Sequence, residues 1–208
     1  FYGTITITIL AVILGAFIAT NMILSQRAKA DTTEACSNAR SFGLALFEFE
    51  TEYGSFPNDA TAKAIKQFPS TPHNLSGSSS NAAFRQLIAA GVTQSEHFYA
   101  RIPGTTKPDF NITPGEALKK GEIGFSYISG LSSKDDPATP IVLTPLIPGT
   151  TTFDPKPFRG FAVILHIDNS VRTYDIANDG HIYDKGINLL SPKHPVWKGK
   201  TPDIRYPE

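Results

Sequence analysis

Residues 1–26 read FYGTITITILAVILGAFIATNMILSQ, a run without a charged side chain; the first charge is Arg27. A helix needs about 20 apolar residues to cross a bilayer, and this run supplies them. Its first part, Thr4-Ile5-Thr6-Ile7-Thr8-Ile9, alternates with period 2 and is β-branched throughout, which by propensity reads as strand. The surroundings decide for helix. In lipid every backbone polar group must be paired inside the segment, and a lone strand cannot do that. Threonine hydroxyls that bond back to carbonyls one turn earlier lower their own cost there. A secretory signal peptide fits poorly, because no basic segment precedes the run and no clear stop follows it.

The helical pattern continues past the apolar run. Ala35, Ala39, Phe42, Leu46, Phe49 and Tyr53 follow at spacings of 4, 3, 4, 3 and 4, the stripe of a helix that packs on a sheet or core. Arg40, Glu48, Glu50 and Glu52 fall off that stripe, and Gly54 with Pro57 supplies the stop. The reading is one helix from residue 2 to 53. Residues 1–26 form a transmembrane or filament-core half, and residues 27–53 an amphipathic half. At 1.5 Å per residue it is roughly 75–80 Å long, longer than a domain of this size is wide. Half of it must protrude, and that half needs an apolar neighbour other than its own domain.

The rest, 54–208, reads as a surface domain, and all 16 prolines lie between Pro57 and Pro207. Residues 54–122 predict loops and short helices: Asp59–Phe68, stopped by Pro69, and Asn81–Ala90, capped by Ser80 and ended by Gly91. Ser70–Ser80 (STPHNLSGSSS) predicts an exposed loop. Over 123–176 the period turns to strand, at 123–131, 139–146, 161–167 and 171–176. Phe161–Ile167 is apolar on both faces but for His166, as in a central strand, and Asp168-Asn169 predicts a tight hairpin. The tail 177–208 shows no clear period. The fold class expected is α+β, a long N-terminal helix packed on a small antiparallel sheet with loop-rich insertions.

Composition narrows the function. The 208 residues carry 19 basic and 19 acidic side chains, so the net charge of zero argues against a general polyanion binder, and no nucleic-acid partner is expected. The single Cys36 excludes an intramolecular disulfide and a Cys-based zinc site. No G-x-S-x-G, H-E-x-x-H, P-loop or G-x-G-x-x-G occurs, and the five histidines are scattered, so no enzyme and no catalytic residue is expected. His166, near Asp168, reads as a hydrogen-bonded strand histidine. The calcium candidate is Asp175, Asn178 and Asp179, without EF-hand spacing, and Asn-Asp-Gly is above all a turn. No other cofactor is expected. Pro192–Lys200 (PKHPVWKGK) reads as a solvated tail or subunit contact rather than a stacking surface for single strands. Asn74-Leu75-Ser76 and Asn111-Ile112-Thr113 are formal glycosylation sequons on expected loops.

Phe1, the charge-free run to Gln26, the amphipathic continuation and the later sheet together resemble a type IV pilin or a type II secretion pseudopilin. Cys36–Pro57 (CSNARSFGLALFEFETEYGSFP) is the most specific part, and 81–91 (NAAFRQLIAAG) and 160–172 (GFAVILHIDNSVR) resemble pseudopilin-type proteins of the planctomycete and verrucomicrobial kind. The resemblance implies cleavage by a prepilin peptidase immediately before Phe1 and N-methylation of that residue. It implies a helical polymer of identical or homologous subunits, held in the inner membrane first and extracted by an assembly ATPase and platform protein into an extracellular filament. Filament-core packing then falls to Phe1, Ile5, Ile7, Ile9, Leu10, Val12, Ile13, Leu14, Phe17, Ile18 and Met22, and helix–sheet packing to Ala35, Ala39, Phe42, Leu46, Phe49 and Tyr53. Two positions depart from the family pattern. The usual glutamate at position 5 is Ile5, so another acceptor must serve the neighbouring amine, since an unpartnered buried ammonium costs several kcal/mol; the Thr4, Thr6 or Thr8 hydroxyls and free helix carbonyls are the candidates. The proline common near position 22 is Met22. Tip-located minor pseudopilins also lack that glutamate, which leaves a minor subunit, or a monomeric membrane-anchored binding domain, as the alternatives.

Overall fold

The computed structural model describes residues 2–65, 73–113 and 115–208, with side chains from Ile13 onward. A single helix, α1 (Tyr2–Tyr53), runs the length expected. It ends where Gly54, at φ 79°, donates its N–H to the Glu50 carbonyl. Asn58 then caps α2 (Asp59–Ile65), its side-chain oxygen accepting from the Ala60 and Thr61 N–H groups at 2.8 and 3.1 Å. The expected continuation of α2 to Phe68 falls outside the described residues. Helix α3 (Ser80–Ala89) is capped one residue earlier than expected, by Ser79, whose hydroxyl accepts from the Ala82 N–H at 3.2 Å. Ser80 is fully buried instead. The loop before it is not wholly exposed either. Leu75 is inserted in the core, because its apolar side chain has more to gain there than its polar neighbours lose by staying outside.

The strands form two sheets. In the five-stranded antiparallel one the order is β4-β3-β2-β1-β7, from β1 (Ser126–Ser129), β2 (Pro140–Thr144), β3 (Phe161–His166), β4 (Val171–Asp175) and β7 (Asp203–Arg205). Strands β5 (Tyr183–Asp184) and β6 (Ile187–Asn188) pair separately. The β3–β4 hairpin turns at Asn169, at φ 61°, as the Asp-Asn pair predicts. The tail, which shows no clear period in sequence, holds regular structure. It supplies β5, β6 and the edge strand β7, which pairs Tyr127 with Arg205 and Ser129 with Asp203.

That tail makes the sheet the middle of three layers. Alternation along β3 sends Val163 and Leu165 toward α1, while Ala162 and Ile164 face the other way, onto Leu189, Leu190 and Trp197. The α1 side holds the larger core. Phe42 lies edge-on to Phe84 and Phe98, with ring centroids 4.4 and 5.0 Å away. Close approaches in this core require glycine. A Cβ on Gly124 would lie 2.4 Å from the Ala100 carbonyl oxygen and 2.6 Å from its nitrogen. A Cβ on Gly43 would lie 1.9 Å from Asn169 Oδ1, at the tip of the β3–β4 hairpin.

Candidate functional site

Among the described side chains, those of the first half of α1 join no core cluster. Ile13, Leu14, Phe17, Ile18, Met22, Ile23 and Leu24 are each 52–68% exposed. At 3.6 residues per turn these seven spread around the whole helix, with no gap wider than about 100°. An amphipathic surface helix has an apolar stripe; a helix that is apolar all round belongs in a packed interior or a membrane. The polar side chains of the segment are spent on its own backbone. Thr20 donates to the Ala16 carbonyl at 2.8 Å and Asn21 to that of Phe17 at 3.0 Å. This is the back-bonding expected of the earlier threonines, but Thr4, Thr6 and Thr8 lie outside the described side chains. So do Phe1, Ile5, Ile7, Ile9, Leu10 and Val12. Among the described residues no helix is long and apolar enough to cross a membrane. Ile13–Gln26 alone covers only about 20 Å at 1.5 Å per residue.

The second half of α1 packs as its stripe predicts. Ala35, Ala39, Phe42, Leu46 and Phe49 are buried, and half-buried Tyr53 stacks on Phe49 at 4.5 Å. Sequence reasoning missed Ala45, also buried, and the exposed Ile23 and Leu24 of the rod. Loops strap the middle of the helix from one side, through Arg101 to Asp31 at 3.2 Å and Lys107 to Glu34 at 3.2 Å.

On the other side a cleft of about 610 Å³ opens between α1 and the sheet, lined among others by Ala28, Thr32, Cys36, Phe158, Phe161 and Thr173. Phe161 is 43% exposed there, unlike the rest of β3. Burial holds the Cys36 thiol above its usual range, with Arg40 pulling the other way. Arg27, Lys29, Lys156 and Arg159 stand around this cleft and the adjoining one. None of the four has a carboxylate within 4.0 Å among the described residues.

Of the remaining sequence candidates, Asp179, His166 and Trp197 have local partners. Asp179 accepts from the Tyr183 hydroxyl at 2.6 Å and the His181 N–H at 3.1 Å, which holds its carboxyl below the usual range. Asp175 closes β4. Among the described residues no group of three or more His, Cys, Asp or Glu is placed to hold a metal ion. His166 Nδ1 lies 2.7 Å from the Ala138 carbonyl, so that nitrogen carries the proton, and Nε2 accepts from the Tyr174 hydroxyl at 3.0 Å. Trp197 is buried, donating to the Leu189 carbonyl at 2.7 Å, so its ring offers no stacking face.

Comparison with protein-family models, with curated proteins and with solved structures finds no match.

Proposed function

We propose that this chain is a structural subunit of an extracellular filament of the type IV pilus or type II secretion pseudopilus kind. Its N-terminal helix first sits in the inner membrane and then polymerises. The observation that carries the reading is the uncharged rod Ile13–Leu24, apolar on every side and covered by nothing in its own domain. Fully burying one such side chain is worth about 1.5–3 kcal/mol, so seven that remain half exposed leave roughly 5–10 kcal/mol per chain for a neighbour to supply. Residues before Ile13 lengthen the rod to bilayer span. Exchange of lipid for neighbouring rods gains little, because both surroundings are apolar. Extraction therefore needs work from outside, which the expected ATPase and platform protein provide. No cofactor and no catalytic step belongs to this reading.

Negative-stain electron microscopy of sheared surface material, with N-terminal mass spectrometry of its dominant subunit, tests it. Filaments built chiefly of this chain, beginning at N-methylated Phe1, support a major subunit. Filaments in which it is a trace component make it a minor or tip subunit. No filaments, with the chain left in the membrane fraction, would sink the polymer reading in favour of an anchored domain.

A further inference from the structure

We propose that copies of this chain join side by side through a knob, Phe110 and Ile112, that enters the cleft between α1 and the sheet of the next copy; the inference rests on the filament reading and names the contact between its surface domains. The knob is an exposed apolar pair, 66% and 51% accessible, on a loop that is otherwise polar. It is also held in place. Asp109 accepts from the Asn111 N–H at 2.9 Å, and Asn111 Oδ1 accepts from the Thr113 N–H at 3.1 Å and the Thr113 hydroxyl at 2.6 Å. Phe110 itself stands at φ 61°, a left-handed conformation that a bulky residue adopts only under constraint. A rigid, strained, water-exposed phenylalanine does nothing for its own domain.

Position argues that knob and cleft belong to different copies. The knob loop straps α1 at Asp31, Glu34 and Asn38, through Arg101, Lys107 and the hollow that Phe110 lines. The cleft faces Ser25, Ala28, Lys29, Thr32, Thr33 and Cys36. At 3.6 residues per turn the two sets point about 155° apart, and their centres differ by only about 6 Å along the helix. No chain can reach its own cleft with its own knob. Two different patches on opposite sides give a head-to-tail contact, which propagates into an open assembly rather than closing into a dimer.

Charge is complementary as well. At the knob two ammonium groups, Lys107 and Lys119, serve three carboxylates, Glu34 at 3.2 Å, Asp109 at 3.5 Å and Glu116, leaving negative charge in excess. Hydrogen bonding from the Asn111 N–H keeps the Asp109 carboxyl below its usual range, hence ionised. Lys29 and Arg159 line the cleft, and Arg27 and Lys156 line the adjoining hollow beside Asp31, which Arg101 holds; among the described residues none of these four cations has a carboxylate within 4.0 Å. The cleft's volume of about 610 Å³ is ample for two large side chains.

The lone Cys36, half-buried in the cleft wall, makes the contact testable in the full-length chain. Phe110→Cys and Ile112→Cys are made separately, and assemblies in membranes or sheared filaments are treated with diamide or a short bismaleimide. The expected result is a covalent ladder beyond the dimer, because each copy then carries one thiol on the knob and one in the cleft. Cys36→Ser added to either variant should abolish the ladder, and Ile147→Cys, on another exposed site, should not produce it. Filaments that form normally but give no ladder, or dimers only, overturn the head-to-tail contact and leave the filament reading standing. Failure to find any filament by microscopy overturns both. Phe110→Asp and Phe161→Asp supply a readout that does not depend on thiol geometry: each should lower filament yield at least tenfold with the domain's melting temperature unchanged. Normal yield in both overturns the proposal.

Discussion

Truncating Phe42 to alanine should separate the part of α1 that the domain owns from the part it merely carries. The Phe42 ring is fully buried, edge-on to Phe84 at 4.4 Å and Phe98 at 5.0 Å and tilted against Phe125 at 6.4 Å. Phe→Ala in a packed core costs about 3–5 kcal/mol, since lost transfer energy adds to the cavity left behind. Two edge-to-face contacts at these distances place this site near the upper end, at about 4–5 kcal/mol. For a chain of 150–250 residues each kcal/mol moves the midpoint by about 2–4 °C, so the expected fall is on the order of 10–15 °C. Leu44 is the internal control. Two residues further along the same helix, it is 62% exposed on the opposite face, and Leu44→Ala should change stability by no more than about 0.5 kcal/mol. Thermal and urea unfolding of the full chain in detergent, followed by tyrosine and tryptophan signals, measures both. A loss below about 1 kcal/mol for Phe42→Ala, or equal losses at the two sites, refutes the claim that this stripe locks the helix to the sheet.

Gly43→Ala should displace the β3–β4 hairpin, because the new methyl would meet Asn169 Oδ1, and Asn169→Gly should restore much of the loss while suiting φ 61°; a double-mutant cycle with no coupling would contradict that contact. Arg205 is nearly buried and ties β7 to Asp59 at 3.1 Å and to the Gly77 carbonyl at 3.0 Å, so Arg205→Met should cost about 1.5–3 kcal/mol in urea unfolding, with little change in the rod's membrane partition. Burial holds the His166 imidazole below the usual histidine range; the unfolded chain therefore binds a proton first as pH falls, and stability is full above about 6.5 and declines below it until the folded ring also protonates. His166→Gln should flatten that decline between pH 7 and 5, and unchanged pH dependence would mean another group carries it. Ala30→Pro, at an exposed position before the first core residue Ala35, should leave the domain's unfolding midpoint within a few degrees yet abolish filaments, as microscopy of sheared material would register.

The long helix was legible for two reasons: its first half carries no charge over a length a bilayer would need, and its second half repeats a register at every turn from Ala35 to Tyr53, which placed Ala35 through Phe49 on the buried face. Strand β3 was legible for a different reason: of the seven successive residues between Gly160 and Asp168 only His166 is polar. Strand β7 had no such redundancy. Asp203-Ile204-Arg205 lies between Pro202 and Pro207 with no alternation to detect, and only pairing with β1, more than seventy residues away, makes it a strand. Ser79 and Ser80 differ in role though not in residue type, so pattern alone cannot tell the cap from the buried neighbour. Of the candidate site, the rod followed directly from its lack of charge. The knob and cleft did not, because Phe110 and Phe161 differ from the buried phenylalanines only in where the finished fold leaves them.

The boundary along α1 explains how one helix can answer to two environments. The core clusters begin at Ala35, and no described residue before it contributes to either. The last attachments upstream are the ion pairs at Asp31 and Glu34, which are partly exposed and so worth little each. The domain can therefore fold completely without the rod, and the rod can change surroundings without unfolding the domain. Between Gly15 and Gly43 the helix contains neither glycine nor proline, so nothing there favours a hinge. Whatever fixes the rod fixes the azimuth of the sheet, and with it the directions in which the knob and the cleft point. Rods packed around an axis would thus present each knob to the next cleft at a set angle. A flexible tether in place of this stiff segment would lose that alignment while keeping every individual contact surface intact.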